Sequence, residues 1–273
     1  KRRSGFLTPV YGYSKQNRFH IKIPYYFAPE NDPSWDITFT SHQNGKTGHA
    51  DQLNIRKEYE TTSLETNIYK GNLDTNKSNG DNVFGVNLKA SSYLKNNWIM
   101  NLGAKYADQE TFMRRYGFDG DTRYKSYIEL EKNSENSISF IEVYNIQNLD
   151  EKSSNNEPVL APSISHHIFN SNEKYNYDIK FNAHSIYNDE SYDIKRWSGL
   201  GKINKQFNYD NLLLEADANI GLDLYSIQGR PSTDSNDNRY IDRISSGFSI
   251  AASHQYILMN ESTSVLIEPK IQF

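Results

Sequence analysis

"LLLEADANIGLDL" (Leu212–Leu224) is the stretch on which the reading of this chain turns. Leu212, Leu214, Ala216, Ala218, Ile220, Leu222 and Leu224 take every second position, with Leu213, Glu215, Asp217, Asn219, Gly221 and Asp223 between them. Successive side chains of a strand point to opposite faces, so this is a strand with one apolar face and one polar face. Strands of soluble domains average about 5 to 6 residues, whereas one that crosses a membrane needs about 9 to 11. The face carrying Glu215, Asp217, Asn219 and Asp223 is too polar to pack against a second sheet. It reads as the water-filled interior of a barrel, with the leucines turned to lipid.

The same rhythm runs through most of the chain. Trp35, Ile37 and Phe39 share a face, as do Phe84, Val86, Leu88 and Ala90, and then Trp98, Met100, Leu102, Ala104 and Tyr106. Tyr124, Ile128 and Leu130 follow, then Tyr175 to Tyr187, Phe248 to Leu258 and Val265 to Phe273. Tyr and Trp gather near the ends of these runs, as in the interfacial girdles of outer-membrane barrels. Short turns ("SEN" near Asn136, "NYDN" near Asp210) alternate with long polar connections (72–82, 150–157, 229–239). The expected fold is all-β: about 13 to 15 antiparallel transmembrane β-barrel strands, with no helical stretch and no domain linker.

Composition agrees. Only 36% of the 273 residues are hydrophobic, yet Tyr reaches 20 and Phe 13. High aromatic content with low mean hydropathy is what alternation produces when every other side chain faces water. No apolar run approaches the 18 residues or more of a spanning helix. The opening "KRRSGFL" lacks the apolar core of a secretory signal, so an export address is expected upstream or already removed. A net charge of −4 argues against a nucleic-acid partner. With no cysteine, disulfides and thiolate metal sites are excluded.

Chemistry-bearing residues have plain readings. His166 and His167 fall on opposite faces of one strand and do not converge on a metal. "FDGDT" (Phe118–Thr122) and "DSNDN" (Asp234–Asn238) lack the spaced oxygens and closing Glu of a calcium loop and read as turns. No nucleophile elbow is present, and neither an enzyme activity, a cofactor nor a metal is expected. Arg114 and Arg115, read as strand neighbours, would point one inward and one outward, as a headgroup-level pair or as an anion contact. Pro158 and Pro162 sit at a strand entrance.

Pro9 and Pro24 are harder to place. A bilayer offers no water to an unpaired backbone group, so barrel strands keep their ladder bonds, and proline removes a donor outright. Either both are rim residues, or they weaken a seam that opens sideways.

"RRSGFLTP" (Arg2–Pro9), "PYY" (Pro24–Tyr26), Ala28–Pro29 and "DITFT" (Asp36–Thr40) together resemble the start of the barrel of the LptD family, the LPS-assembly proteins of the Gram-negative outer membrane. "NNWIMNLGAKYADQETFMRRYGF" (Asn96–Phe118), "PVLAPSI" (Pro158–Ile164), "LDLYSI" (Leu222–Ile227) and "LIEPKIQF" (Leu266–Phe273) resemble later parts of it, in order. The segment carrying "ENDPSW" (Glu30–Trp35) departs from the family's spacing. The resemblance implies lipopolysaccharide (LPS) transport: receipt from a periplasmic bridge protein (LptA-like) and delivery into the outer leaflet, with an LptE-like lipoprotein plug in the barrel. It also implies a lateral gate between the first and last strands, weakened by prolines matching Pro9 and Pro24. An anion or LPS contact at Arg114 and Arg115 is a further expectation. Family barrels reach about 26 strands, so residues 1–273 correspond to the amino-terminal half, without the family's periplasmic domain. Two other readings are a self-contained porin-like channel for small hydrophilic solutes and a soluble β-sandwich.

Overall fold

The computed structural model describes residues 2–273 apart from 16–17, 46–47, 76–77, 150–156, 172–174, 189–191, 211, 230–238, 255 and 261–262. Along the chain run β1 (Gly5–Phe6), β2 (Val10–Ser14), β3 (Arg18–Phe27), β4 (Trp35–Asn44), β5 (Gly48–Glu58), β6 (Thr62–Thr75), β7 (Ser78–Tyr93) and β8 (Trp98–Ala107). A short helix, α1 (Glu110–Tyr116), precedes β9 (Arg123–Ser134), β10 (Ser137–Asn148), β11 (Val159–Ser171), β12 (Asn176–Tyr187), β13 (Asp193–Tyr209), β14 (Leu212–Gln228) and β15 (Arg239–His254). Last come β16 (Tyr256–Asn260), β17 (Thr263–Ile267) and β18 (Lys270–Gln272). Sixteen of these strands form one sheet: β1 and β2 both pair with β3, sequence neighbours then pair in turn to β15, and β18 pairs with β15. The remaining two, β16 and β17, pair with each other in the register of β15 with β18 (Tyr256↔Ile267, Ala252↔Ile271), so they prolong the same hairpin beyond Pro269.

The chain divides into two compact units, Lys1–Leu130 with Glu142–Leu160, and Glu131–Ile141 with Ala161–Phe273. In the second unit the register carries the alternation across strands. Trp197 lies opposite Leu224, Ile203 opposite Ala218, and Phe248 opposite Ala218 from the other side. Ile220, Leu222, Leu224, Ile244 and Phe248 are all exposed on this apolar face. An exposed apolar surface of this extent is the lipid-facing side of a membrane barrel wall.

In the first unit Tyr25, Phe39, Phe84 and Tyr106 are exposed on the corresponding face. The opposite face is covered by α1. Ala50, Tyr69, Val83, Ala107 and Tyr124 from five strands bury Phe112, Met113 and Tyr116 of the helix, with Phe118 and Leu149 packed against them. Gly71 and Gly85 make the floor flat enough: a Cβ on Gly71 would come within 2.8 Å of Phe112 and of Ala50, and one on Gly85 within 2.8 Å of the Met113 sulfur. Gly117 ends the helix in the left-handed region (φ 68°), where its amide bonds back to the Arg114 carbonyl.

Three expectations change here. Residues 110–116 are helical, not strand, so Arg114 and Arg115 are neighbours around a helix, not on opposite faces of a strand. Two helical turns are too short for apolar periodicity to stand out, and the fold of the segment comes from the pocket its aromatics fill. The polar stretch 72–82 is not a long loop: β6 runs on to Thr75 and β7 starts at Ser78. Tyr124 does not share a face with the exposed Ile128; it is fully buried in the cluster under α1. The stretch Asp234–Asn238 lies outside the described residues.

Candidate functional site: the amino-terminal seam

The first strand is one edge strand in two pieces. Phe6 stands opposite Tyr25, and Val10 opposite Lys22. Between those pairs the edge strand has Leu7, Thr8 and Pro9, whereas β3 has only Ile23 and Pro24, so one extra residue bulges out of the edge. The structure therefore places Pro9 in the interruption and Pro24 directly across from it. The Leu7 amide donates to the Pro24 carbonyl (2.9 Å). The N–H and C=O of one strand residue face the same neighbour, so the Pro24 nitrogen also faces the edge strand. The bond missing at Pro24 is therefore lost from the seam and not from the β3–β4 ladder.

On either side of the interruption the edge is held differently. Asp36, only 7% exposed, accepts hydrogen bonds from Arg2 Nη2 (2.5 Å), Arg56 Nε (3.1 Å) and Nη2 (3.3 Å), and the Tyr26 hydroxyl (3.3 Å). Arg2 also donates to the Tyr26 hydroxyl (2.9 Å) and to the carbonyls of Trp35 (3.3 Å) and Pro33. Ser4 Oγ donates to the Ala28 carbonyl (3.1 Å) and accepts from the Ala28 amide (3.0 Å). Asp36 opens the motif "DITFT", but nothing in the sequence marks it as the acceptor shared by two arginines.

Lys22, on β3 beside the seam, donates to the Tyr116 carbonyl at the end of α1 (3.5 Å). The connection after α1 is held by Lys105 of β8, whose ammonium bridges Asp119 (2.6 Å) and Asp121 (2.8 Å) over the Tyr124 ring. Lys105 thus pairs with both acids of "FDGDT". The Lys105 hydrogen bond holds the Asp121 carboxyl below its ordinary value of 3.8, so this ion pair persists at neutral pH and is lost only as acid protonates Asp121. Arg114 is exposed and Arg115 half-buried on α1.

In the second unit, Glu215, Asp217 and Asp223 lie on one face of β14 and take partners from neighbouring strands. Gln206 (2.7 Å) and Lys270 (2.6 Å) donate to Glu215, Asn204 to Asp217 (2.8 Å) and Arg196 to Asp223 (2.8 Å). A cleft of about 560 Å³ is lined by Asn176, Asp178, Lys202, Asn204, Asp217 and Asn219. His166 bonds Ser139 (2.9 Å) and His167 bonds Asp178 (2.8 Å), so the two histidines do not converge. Pro158 precedes β11, and Pro162 lies near its start.

No curated protein matches the chain. Among solved structures, one described as "Bacterial polysaccharide outer membrane secretin" is similar at 10% identity, with a TM-score of 0.36, over 94% of this chain and 91% of that one. The sequence family "LptD: LPS transport system D" matches residues 81–273, well over half of the chain. Matched over that span, with an all-antiparallel sheet whose outer face is apolar, the chain belongs to the LptD family of LPS transport.

Proposed function

We propose that residues 1–273 supply the amino-terminal strands of a larger outer-membrane barrel that inserts LPS into the outer leaflet through a lateral gate at its first strands. The observation that carries this reading is the interruption at Pro9 opposite Pro24, where the missing donor faces the seam. The family match begins at residue 81 and supports LPS as the cargo; the gate rests on the geometry of residues 5–27.

The chemistry needed is transfer of an amphiphile, with no bond made or broken. Sugar hydroxyls can exchange hydrogen bonds with a polar wall such as Glu215, Asp217, Asn219 and Asp223, while acyl chains stay in an apolar path that leads out sideways. Arg114 and Arg115, carried on α1, are the cations this reading assigns to the phosphates of LPS. An LptE-like lipoprotein plug and an LptA-like periplasmic bridge are the partners this role calls for.

Replacing both Pro9 and Pro24 by Val restores one donor that faces the edge strand, at position 24, with a ladder bond contributing about 0.5–1.5 kcal/mol. A seam stronger by about 0.5–1.5 kcal/mol opens roughly 2- to 13-fold less often. The expected result is a severalfold drop in LPS reaching the cell surface, with protein level and barrel folding unchanged. Unchanged delivery in a verified double variant refutes the gate.

A further inference from the structure

The end of α1 closes over a histidine. His42 of β4 is only 3% exposed, and both of its ring nitrogens are enclosed without a hydrogen bond. Its ring meets Phe118 (4.7 Å between centroids) and Tyr116 (6.4 Å) edge to face, at and just past the end of α1. We infer that α1, with the connection through Phe118, is a lid on the face of the sheet it covers, that acid releases it, and that His42 is the group that takes the proton. The inference depends neither on the cargo nor on the gate.

The groups around the ring decide what a proton does there. On β3, Lys22 stands directly opposite His42, and its ammonium already donates to the Tyr116 carbonyl (3.5 Å). His20, on the same face of β3, leans over Gly12. On β5 that face carries Ala50 and Gln52, while His49 and Asp51, at the alternate positions, pair with each other (2.9 Å). Beyond Phe118 stands Tyr69 of β6 (4.4 Å), and Asp119 is taken by Lys105 (2.6 Å). Among the described residues no carboxylate bonds to His42, so a proton places a second cation beside Lys22 with no counter-charge of its own. Aromatic rings attract a cation, but by less than the loss of its hydration costs it. Lifting the lid hands the ring to water instead. Two helical turns with no side-chain cap are too short to hold their shape alone, so α1 leaves the sheet as a unit. An exposed histidine titrates near about 6.5, and a fall from about pH 7.5 to about pH 5 therefore favours the lifted form by up to about 30-fold. Over that range Asp121, whose carboxyl is held below its ordinary value by Lys105, keeps its ion pair, so the loop beyond α1 is not what lets go.

The chain has no cysteine, so a single engineered thiol reports on the lid alone. Met113 is 1% exposed under α1, whereas Gly120 is exposed, with open space where a side chain would stand. In the full-length protein folded in detergent, the rate at which a maleimide labels Met113→Cys is divided by its rate on Gly120→Cys, which cancels the pH dependence of the thiol reaction itself. Between about pH 7.5 and about pH 5 this ratio is expected to rise severalfold, to at most about 30-fold. It is expected to stay level when His42 is replaced by Gln or, in a second variant, by Leu. A ratio that does not change with pH while His42 is intact overturns the lid, and that measurement needs neither replacement to fold. A rise that survives in either folded variant overturns His42 as the group that takes the proton.

Discussion

At the scale of single residues, two small changes of shape decide what the seam and the inner wall can do. Pro24 withholds one donor, and its effect depends on direction: because its carbonyl already takes the Leu7 amide, the loss falls on the edge strand. Gly71 withholds a side chain. A Cβ there would meet Ala50, the His49 carbonyl and Phe112 at 2.8 Å, two of them atoms that cannot swing aside. Gly71→Val is therefore expected to lift α1 from the wall and to lower stability by about 1–3 kcal/mol, read from the urea midpoint of the folded barrel in detergent. An unshifted midpoint would show that the helix does not need this floor. The position of Gly71 in a polar run gave no hint of this role, since a glycine in a strand pattern is equally compatible with a bulge.

At the scale of elements, α1 is the part whose stability comes from elsewhere. Seven residues form too few internal bonds to hold a helix in water, and Gln109 at its start makes no side-chain cap. What holds it is burial of Phe112, Met113 and Tyr116 against five strands, with Lys22 at its end and Lys105 on the loop beyond. Phe112 is fully buried, so Phe112→Ala should cost about 3–5 kcal/mol, whereas trimming the exposed Arg114 to Ala should change folding little. Both are read from equilibrium unfolding in detergent. Equal costs would mean that α1 is not packed as described. If Arg114 meets LPS phosphates, Arg114→Ala should instead lower LPS delivery without moving the unfolding midpoint.

At the scale of the whole molecule, the two faces of the wall set contrasting demands. Phe248 is 69% exposed near the middle of β15, opposite Ala218 on an apolar face. An arginine placed there faces lipid and should cost about 2–4 kcal/mol if the site lies at the bilayer midplane. Asp217→Asn, on the opposite face, keeps a partner for Asn204 and should cost well under 1 kcal/mol. Folding yield into lipid vesicles distinguishes the two; similar yields would argue that Phe248 does not face lipid.

Much of this was legible in the residues. The period-2 pattern and the length of its runs determined an all-β chain with one oily and one wet face, and the ordered likeness to LptD barrels gave the family. Those properties are local, because the alternation of side chains is built into each strand's own backbone. Only the tertiary structure decided that Pro9 stands opposite Pro24 and that Tyr124 turns inward. The same holds for the helix at residues 110–116 and for Asp36, which joins Arg2, 34 positions before it, to Arg56, 20 positions after it. Each of these depends on how distant segments register and pack, and a bulge of a single residue is enough to change which side chains meet.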